Sequence, residues 1–160
     1  MARIACLAAL LALPLAALAE PHSFALIGDV PYNRGEVIAF ERMREAIDAD
    51  PDVGLVVHVG DLKGSREPCS DELLAERVAQ LAAFTKPVLV TPGDNDWTDC
   101  HLRGAGRHLP TERLAVLRTL LYPDAHRSLG RTGLARISQS DQAAWAEFVE
   151  HGLFDWQGLV

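Results

Sequence analysis

Two hydrophobic rhythms alternate along this chain. Three short runs are apolar without alternation: Phe24-Ala25-Leu26-Ile27, Leu55-Val56-Val57-His58-Val59 and Pro87-Val88-Leu89-Val90-Thr91-Pro92. Each is rich in Val, Ile and Leu, the pattern of a parallel strand buried on both faces. Between the first two runs, Val37, Phe40, Met43, Ala46 and Ile47 recur at three- and four-residue spacing, with Glu41, Arg42, Arg44 and Glu45 among them. That spacing predicts an amphipathic helix over 36–48, ended before Pro51 because a proline disfavours helix in the residue preceding it. Ser70-Asp71-Glu72 opens a second helix with capping chemistry, Leu73, Leu74, Val78, Leu81 and Phe84 carry its apolar face, and Lys86-Pro87 stops it. A third helix starts at Thr111-Glu112-Arg113 and ends near Tyr122-Pro123. Strand, helix and strand in this order predict an α/β fold with at least three parallel strands and right-handed crossovers.

After residue 123 the pattern decays. Residues 128–141 show no sustained period, 142–149 read as a short helix, and the apolar tail 152–160 closes on Leu159-Val160, which reads as the first residues of another strand. The division expected is therefore a leader over 1–19, a structured unit over 20–123 and an irregular or incomplete extension over 124–160. Trp145 and Trp156 read as core residues, Trp97 as a wall of core or cleft, and Arg103, Arg107, Arg113 and Arg118 as a solvated face.

The leader changes what the rest means. Arg3 precedes an apolar stretch over 4–18 broken only by Pro14, and Ala17-Leu18-Ala19 places small residues before Glu20-Pro21. This is the form of a secretory signal peptide and too short for a membrane span. Cys6 has too little apolar sequence before it for a lipoprotein signal. Removing 1–19 leaves 141 of the 160 residues and deletes one cation and no acid, so the formal charge moves from −7 to −8. One domain with its own core suits that length. The acidity and the absence of a basic stripe argue against a nucleic-acid partner. Export, to the periplasm or the medium, puts Cys69 and Cys100 where disulfides persist, and a bridge between them is expected over a thiolate metal site.

Each apolar run leads into a Gly-Asp pair: Gly28-Asp29, Gly60-Asp61, and Gly93-Asp94-Asn95-Asp96. In open α/β sheets the carboxyl edge of the strands is where ligands bind. Carboxylates gathered there repel unless protons or cations neutralise them. Hard oxygen ligands suit divalent or trivalent metals, and two metals sharing a carboxylate suit phosphoryl hydrolysis.

In order and spacing these blocks resemble the calcineurin-like metallophosphoesterases, in a bacterial exported branch. That family carries Asp-x-His, then Gly-Asp, then Gly-Asn-His-Asp/Glu, then later histidine motifs. The resemblance covers residues 24–100 and continues to about 123, and it implies a partial metallophosphoesterase-like layered sheet with helices. It implies that Asp29 binds the first metal, Asp61 bridges both, and Asp94 stands for the asparagine that binds the second. Asn95 stands for the histidine that protonates the leaving group or steadies the phosphoryl oxygens, and Asp96 for the acid that orients it. The cofactors implied are two metal ions, Mn, Fe or Zn, and the substrate a phosphate mono- or diester.

The chain also departs from the family. Pro31 stands where the first motif carries a histidine. Purple acid phosphatases also lack that histidine and carry a tyrosine three residues after the bridging Asp, a position held here by Gly64. Asn95 does not titrate, so protonation of a leaving group needs another donor. His101 and His108 are read as solvated loop histidines with that role as the alternative. No later histidine motif appears between residues 123 and 160. The resemblance therefore implies a chain truncated before those motifs, and a non-catalytic metal-binding remnant of the fold stands as the alternative function. A phosphoaspartyl receiver also gathers acids at strand ends, but it needs a late lysine, and Lys63 and Lys86 are the only two. His58 reads as a satisfied strand histidine. Lys63 reads as a partner for nearby acids, with contact to substrate phosphate as the alternative. Tyr32 and Asn33 either face the site or pack the loop.

Overall fold

The computed structural model describes residues 23–160, so the leader over 1–19, Cys6 included, lies outside the described residues. The first β-strand, β1 (Ser23–Ile27), is followed by helix α1 (Arg34–Ala49), β2 (Val53–His58), α2 (Asp71–Ala82), β3 (Val88–Val90) and α3 (Pro110–Leu121). The strands form one parallel sheet in the order β1-β2-β3, with Ile27 opposite His58 and His58 opposite Val90. This is the α/β arrangement that the two rhythms predict.

The order β1-β2-β3, with crossovers through α1 and α2 running in the same direction, places both helices on one face of the sheet, where they share one core. The core lies there: Phe40 from α1, Leu74, Val78 and Leu81 from α2, and Leu117 and Leu121 from α3 close over Val56 and Val88. Phe40 and Phe84 meet edge to face with ring centroids 6.2 Å apart, a geometry that aromatic quadrupoles favour. The opposite face is thinly covered. Phe24 and Leu26 remain exposed at the β1 edge, while Trp156 from the tail is buried and packs against Gly54 of β2.

Helix starts follow local chemistry. Asn33 caps α1, its Oδ1 accepting from the backbone N–H groups of Gly35 (2.9 Å) and Glu36 (3.2 Å). The helix therefore begins two residues before the expected 36. Ser70 Oγ caps α2 by accepting from Leu73 N, as expected, and Pro110 opens α3, where its missing N–H costs nothing.

The C-terminal region departs from the expectations. Residues 142–149 do not form a helix; Ala143–Trp145 makes a single 3₁₀ turn, and Trp145 is 47% exposed, not core. Leu159 makes an isolated bridge to Trp156 across a tight turn and does not start a strand. Two short antiparallel strands, β4 (Ile137–Ser138) and β5 (Gly152–Leu153), pair with each other. The stretch without periodicity is nonetheless ordered by long-range pairing, with Val88 N donating to Leu129 O at 2.8 Å along the outer side of β3.

Of the four arginines read as a solvated face, two are not. Arg113 is 7% exposed and donates to Cys69 O and to Asp71. Arg118 is half-buried and paired with Glu150 at 2.7 Å. Their partners lie 42 and 32 residues away in sequence, outside the reach of a local pattern.

Candidate metal centre

Gly28-Asp29 directly follows β1, Val59-Gly60-Asp61 follows β2, and Thr91-Pro92-Gly93-Asp94 follows β3. Because the strands are parallel, all three turns emerge at the same edge. Asp29 and Asp61 both adopt the left-handed region, with φ of 60° and 58°. Asp tolerates that region better than most residues because its short side chain bonds locally.

The second and third corners pack backbone on backbone. A Cβ on Gly60, whose φ is 97°, would lie 2.4 Å from Gly93 N, and one on Gly93 would lie 2.1 Å from Asp61 Oδ1. Only glycine fits at either place.

The carboxyl of Asp96 fastens these two corners together. It is fully buried and accepts the backbone N–H groups of Gly93 (2.9 Å), Asp61 (3.1 Å) and Leu62 (2.8 Å). Burial pushes its pKa up to about 6, against the pull of those donors and of Lys63. Its observed contacts are thus to main chain, and the structure gives it no hydrogen bond to the Asn95 side chain.

Asn95 turns towards Asp61. Its Nδ2 donates to Asp61 Oδ2 at 3.0 Å and its backbone N–H to Asp61 Oδ1 at 3.1 Å. Asp61 is half-buried, and burial, with the neighbouring Asp94 carboxyl, raises its pKa against the Asn95 and Tyr32 hydrogen bonds. Asp29 and Asp94 are exposed, so the edge is open to solvent.

Tyr32 links the first corner to the second. Its hydroxyl lies 2.6 Å from Asp29 Oδ1 and 3.1 Å from Asp61 Oδ2, with Asn95 Nδ2 at 3.4 Å. Burial and both carboxylates raise its pKa well above the ordinary phenol value. Of the two open readings, Tyr32 therefore faces the site, while Asn33 is the helix cap. The pair is connected: Glu36 Oε2 accepts from Tyr32 N at 2.7 Å and Glu36 Oε1 from Asn33 Nδ2 at 2.7 Å, so the cap of α1 also anchors the tyrosine. An Asn-x-x-Glu start just after a strand corner was the sequence signal for this placement.

Asp29, Asp61, Asp94, Asn95 and Tyr32 are thus brought together. Their donors are carboxylate, phenol and amide groups, chemistry that suits a hard cation. Among the described residues no group of three or more His, Cys, Asp or Glu converges in a metal-holding arrangement, so the three carboxylates share an edge without closing around one point.

The remaining candidates lie elsewhere. His101 is exposed, its Nδ1 2.6 Å from Thr98 O. His58 is fully buried on β2; its Nδ1 accepts from Gly60 N at 3.2 Å, but Nε2 has no hydrogen-bond partner, so the ring is only half satisfied. Burial lowers its pKa, with the nearby Val30 carbonyl and Asp29 pulling the other way. Lys63 is fully buried and donates to Gly64 O at 3.2 Å. Burial lowers its pKa against Asp96, Glu67, Asp99 and Asp61. The acids act on it by charge, and it is turned away from solvent.

Cys69 and Cys100 are disulfide-bonded, Cα atoms 5.6 Å apart, as export leads one to expect. Cys100 Sγ lies 3.3 Å from Asp96 O, so the bridge backs the third corner. No helix among the described residues is long and apolar enough to cross a membrane. No protein-family model, curated protein or solved structure matches the chain.

Proposed function

We propose that this chain is an exported metal-dependent phosphoesterase that hydrolyses phosphate mono- or diesters, with two divalent or trivalent metal ions at Asp29, Asp61 and Asp94. The observation that carries this reading is the meeting of three strand-end corners at one solvent-open edge, with Asp61 in contact with both Tyr32 and Asn95. Held by these residues, a metal pair would supply Lewis-acid chemistry for phosphoryl transfer to water. The protein's part is to place the groups. Asp61, on the corner of the central strand, would be the ligand common to both metals, and Asp96 holds its backbone against the third corner. Asn95 can donate a hydrogen bond to a phosphoryl oxygen but no proton to a leaving group. The disulfide and the leader support export.

A second reading is a non-catalytic metal-binding remnant of the same fold. It is favoured by one observation: the Asn95 amide, at the expected acid's place, is engaged with Asp61. Purified protein supplied with Mn, Fe or Zn and an aryl phosphate separates the two. Turnover abolished by Asp61→Ala supports the enzyme. Calorimetric metal binding that Asp61→Ala removes, without turnover under any metal, supports the remnant. Absence of binding in the wild type refutes both.

A further inference from the structure

The helices pack one face of the sheet, while the other face is crossed only by the C-terminal tail. Strands apolar on both sides need cover on both, and here the cover leaves gaps. A cleft of about 210 Å³ runs between Phe24 of β1, Leu55 and Val57 of β2, and Phe154, Leu159 and Val160 of the tail. A second cleft, of about 270 Å³, adjoins it and is walled by Ile137, Leu153, Phe154 and Val160. Phe154 and Val160 are common to both, so the two form one apolar trough. Apolar walls with a few fixed polar groups are the form of a small-molecule site.

The fixed polar group is Arg136, which borders the second cleft. Its Nη2 donates to Val149 O at 2.8 Å, and its guanidinium lies 5.2 Å from the Tyr122 ring centroid. It also lies against Gly152, where a Cβ would come within 2.3 Å of Nε. The group is thus held in place, yet its Nε and Nη1 make no hydrogen bond and it joins no ion pair among the described residues. The neighbouring acids are engaged elsewhere. Asp155 Oδ1 accepts from Gly158 N at 2.8 Å, and Glu150 is taken by Arg118.

We propose that this trough binds a medium- to long-chain carboxylic acid, its carboxylate on Arg136 and its hydrocarbon chain along Phe154 and Val160 towards Leu55 and Val57. The inference is independent of the metal reading above. Charge complementarity selects the ligand: a fixed, uncompensated guanidinium beside an apolar trough, in a chain of net charge −7, matches an anion that carries a hydrocarbon chain. Guanidinium and carboxylate also match in geometry, as paired N–H donors and oxygen acceptors. A phosphate head group would bring a second negative charge towards Asp155 and Glu150 that one guanidinium does not balance.

The purified protein is titrated calorimetrically at neutral pH with dodecanoate, octanoate, dodecanol and dodecyl phosphate, each below its micellar concentration. Dodecanoate is expected to bind one per chain. Dodecanol and dodecyl phosphate should bind at least about 10-fold more weakly, the scale of a hydrogen bond to a charged group. Octanoate should also lose at least about 10-fold, because each buried methylene contributes. Arg136→Gln is expected to weaken dodecanoate about 10-fold or more and to leave dodecanol unchanged. Val160→Asp, at a residue 82% exposed, should weaken both. If Arg136→Gln fails to fold, the discrimination between acid and alcohol by the wild type still decides. No binding of dodecanoate, equal binding of dodecanol, tighter binding of dodecyl phosphate, or undiminished binding by Arg136→Gln overturns the proposal. So does a dimer in sedimentation velocity that dodecanoate does not dissociate, since a second copy would then cover this face.

Discussion

Removing the bridge between Cys69 and Cys100 tests how the third corner is held. The two residues are 31 apart in sequence, and the loop they close contains α2, β3 and the Gly93-Asp94-Asn95-Asp96 turn. A cross-link closing a loop of that length removes unfolded-chain entropy worth about 3.7 kcal/mol at 25 °C on the chain-entropy model. Both cysteines are fully buried beside Ala105, so Cys69→Ala with Cys100→Ala replaces sulfur by small apolar groups and adds only a modest packing loss. Total stabilities run to about 5–15 kcal/mol, so this is a large share. For a chain of this size each kcal/mol moves the Tm by about 3 °C, giving an expected fall of about 10 °C. Circular dichroism melts of wild type and double variant, each with and without dithiothreitol, make the measurement. Reductant should lower the wild-type Tm towards that of the variant and leave the variant unmoved. A fall below about 2 °C would refute the loop-closure reasoning, and a variant still sensitive to reductant would refute the assignment of the bridge.

Asp96→Ala strips the acceptor from three backbone N–H groups at once; a loss of about 3 kcal/mol or more in urea unfolding is expected, and under about 1 kcal/mol would show that water replaces it. Gly60→Ala forces a Cβ against Gly93 N at a φ of 97°. It is expected to cost about 2 kcal/mol or more, whereas an unchanged Tm would mean that the corners do not pack as described. Because burial lowers the folded-state pKa of His58 below its unfolded value, the stability tied to its neutral form is fully present above about pH 6.5 and is lost as pH falls through the folded pKa. The loss runs at up to about 1.4 kcal/mol per pH unit. The stability difference between wild type and His58→Leu, measured by urea unfolding at pH 7.5 and 5.5, should shift against the wild type at the lower pH; a pH-independent difference would contradict a buried neutral ring.

The strand and helix order was legible because it rests on local periodicity. Three apolar runs, two helical periodicities, the Ser70 cap and the stops at Pro51 and Pro87 are short-range signals, and β1, α1, β2, α2 and β3 appear where these fall, α1 starting two residues early at its Asn33 cap. The Gly-Asp corners were legible too, since parallel strands can only deliver their carboxyl ends to one edge. What only the tertiary structure decided is how the groups at that edge share contacts. Tyr32 and Asp61 are 29 residues apart, and Asp96 and Leu62 are 34 apart. No period links them, and their meeting depends on sheet register and on two left-handed turns. The burial of Arg113 and Lys63, the exposure of Trp145 and the order in the aperiodic C-terminal stretch were settled in the same way, by long-range partners that a local reading cannot see. Sequence alone set which chemistry reaches the sheet edge; the packing of one corner against the next set which oxygens face one another there.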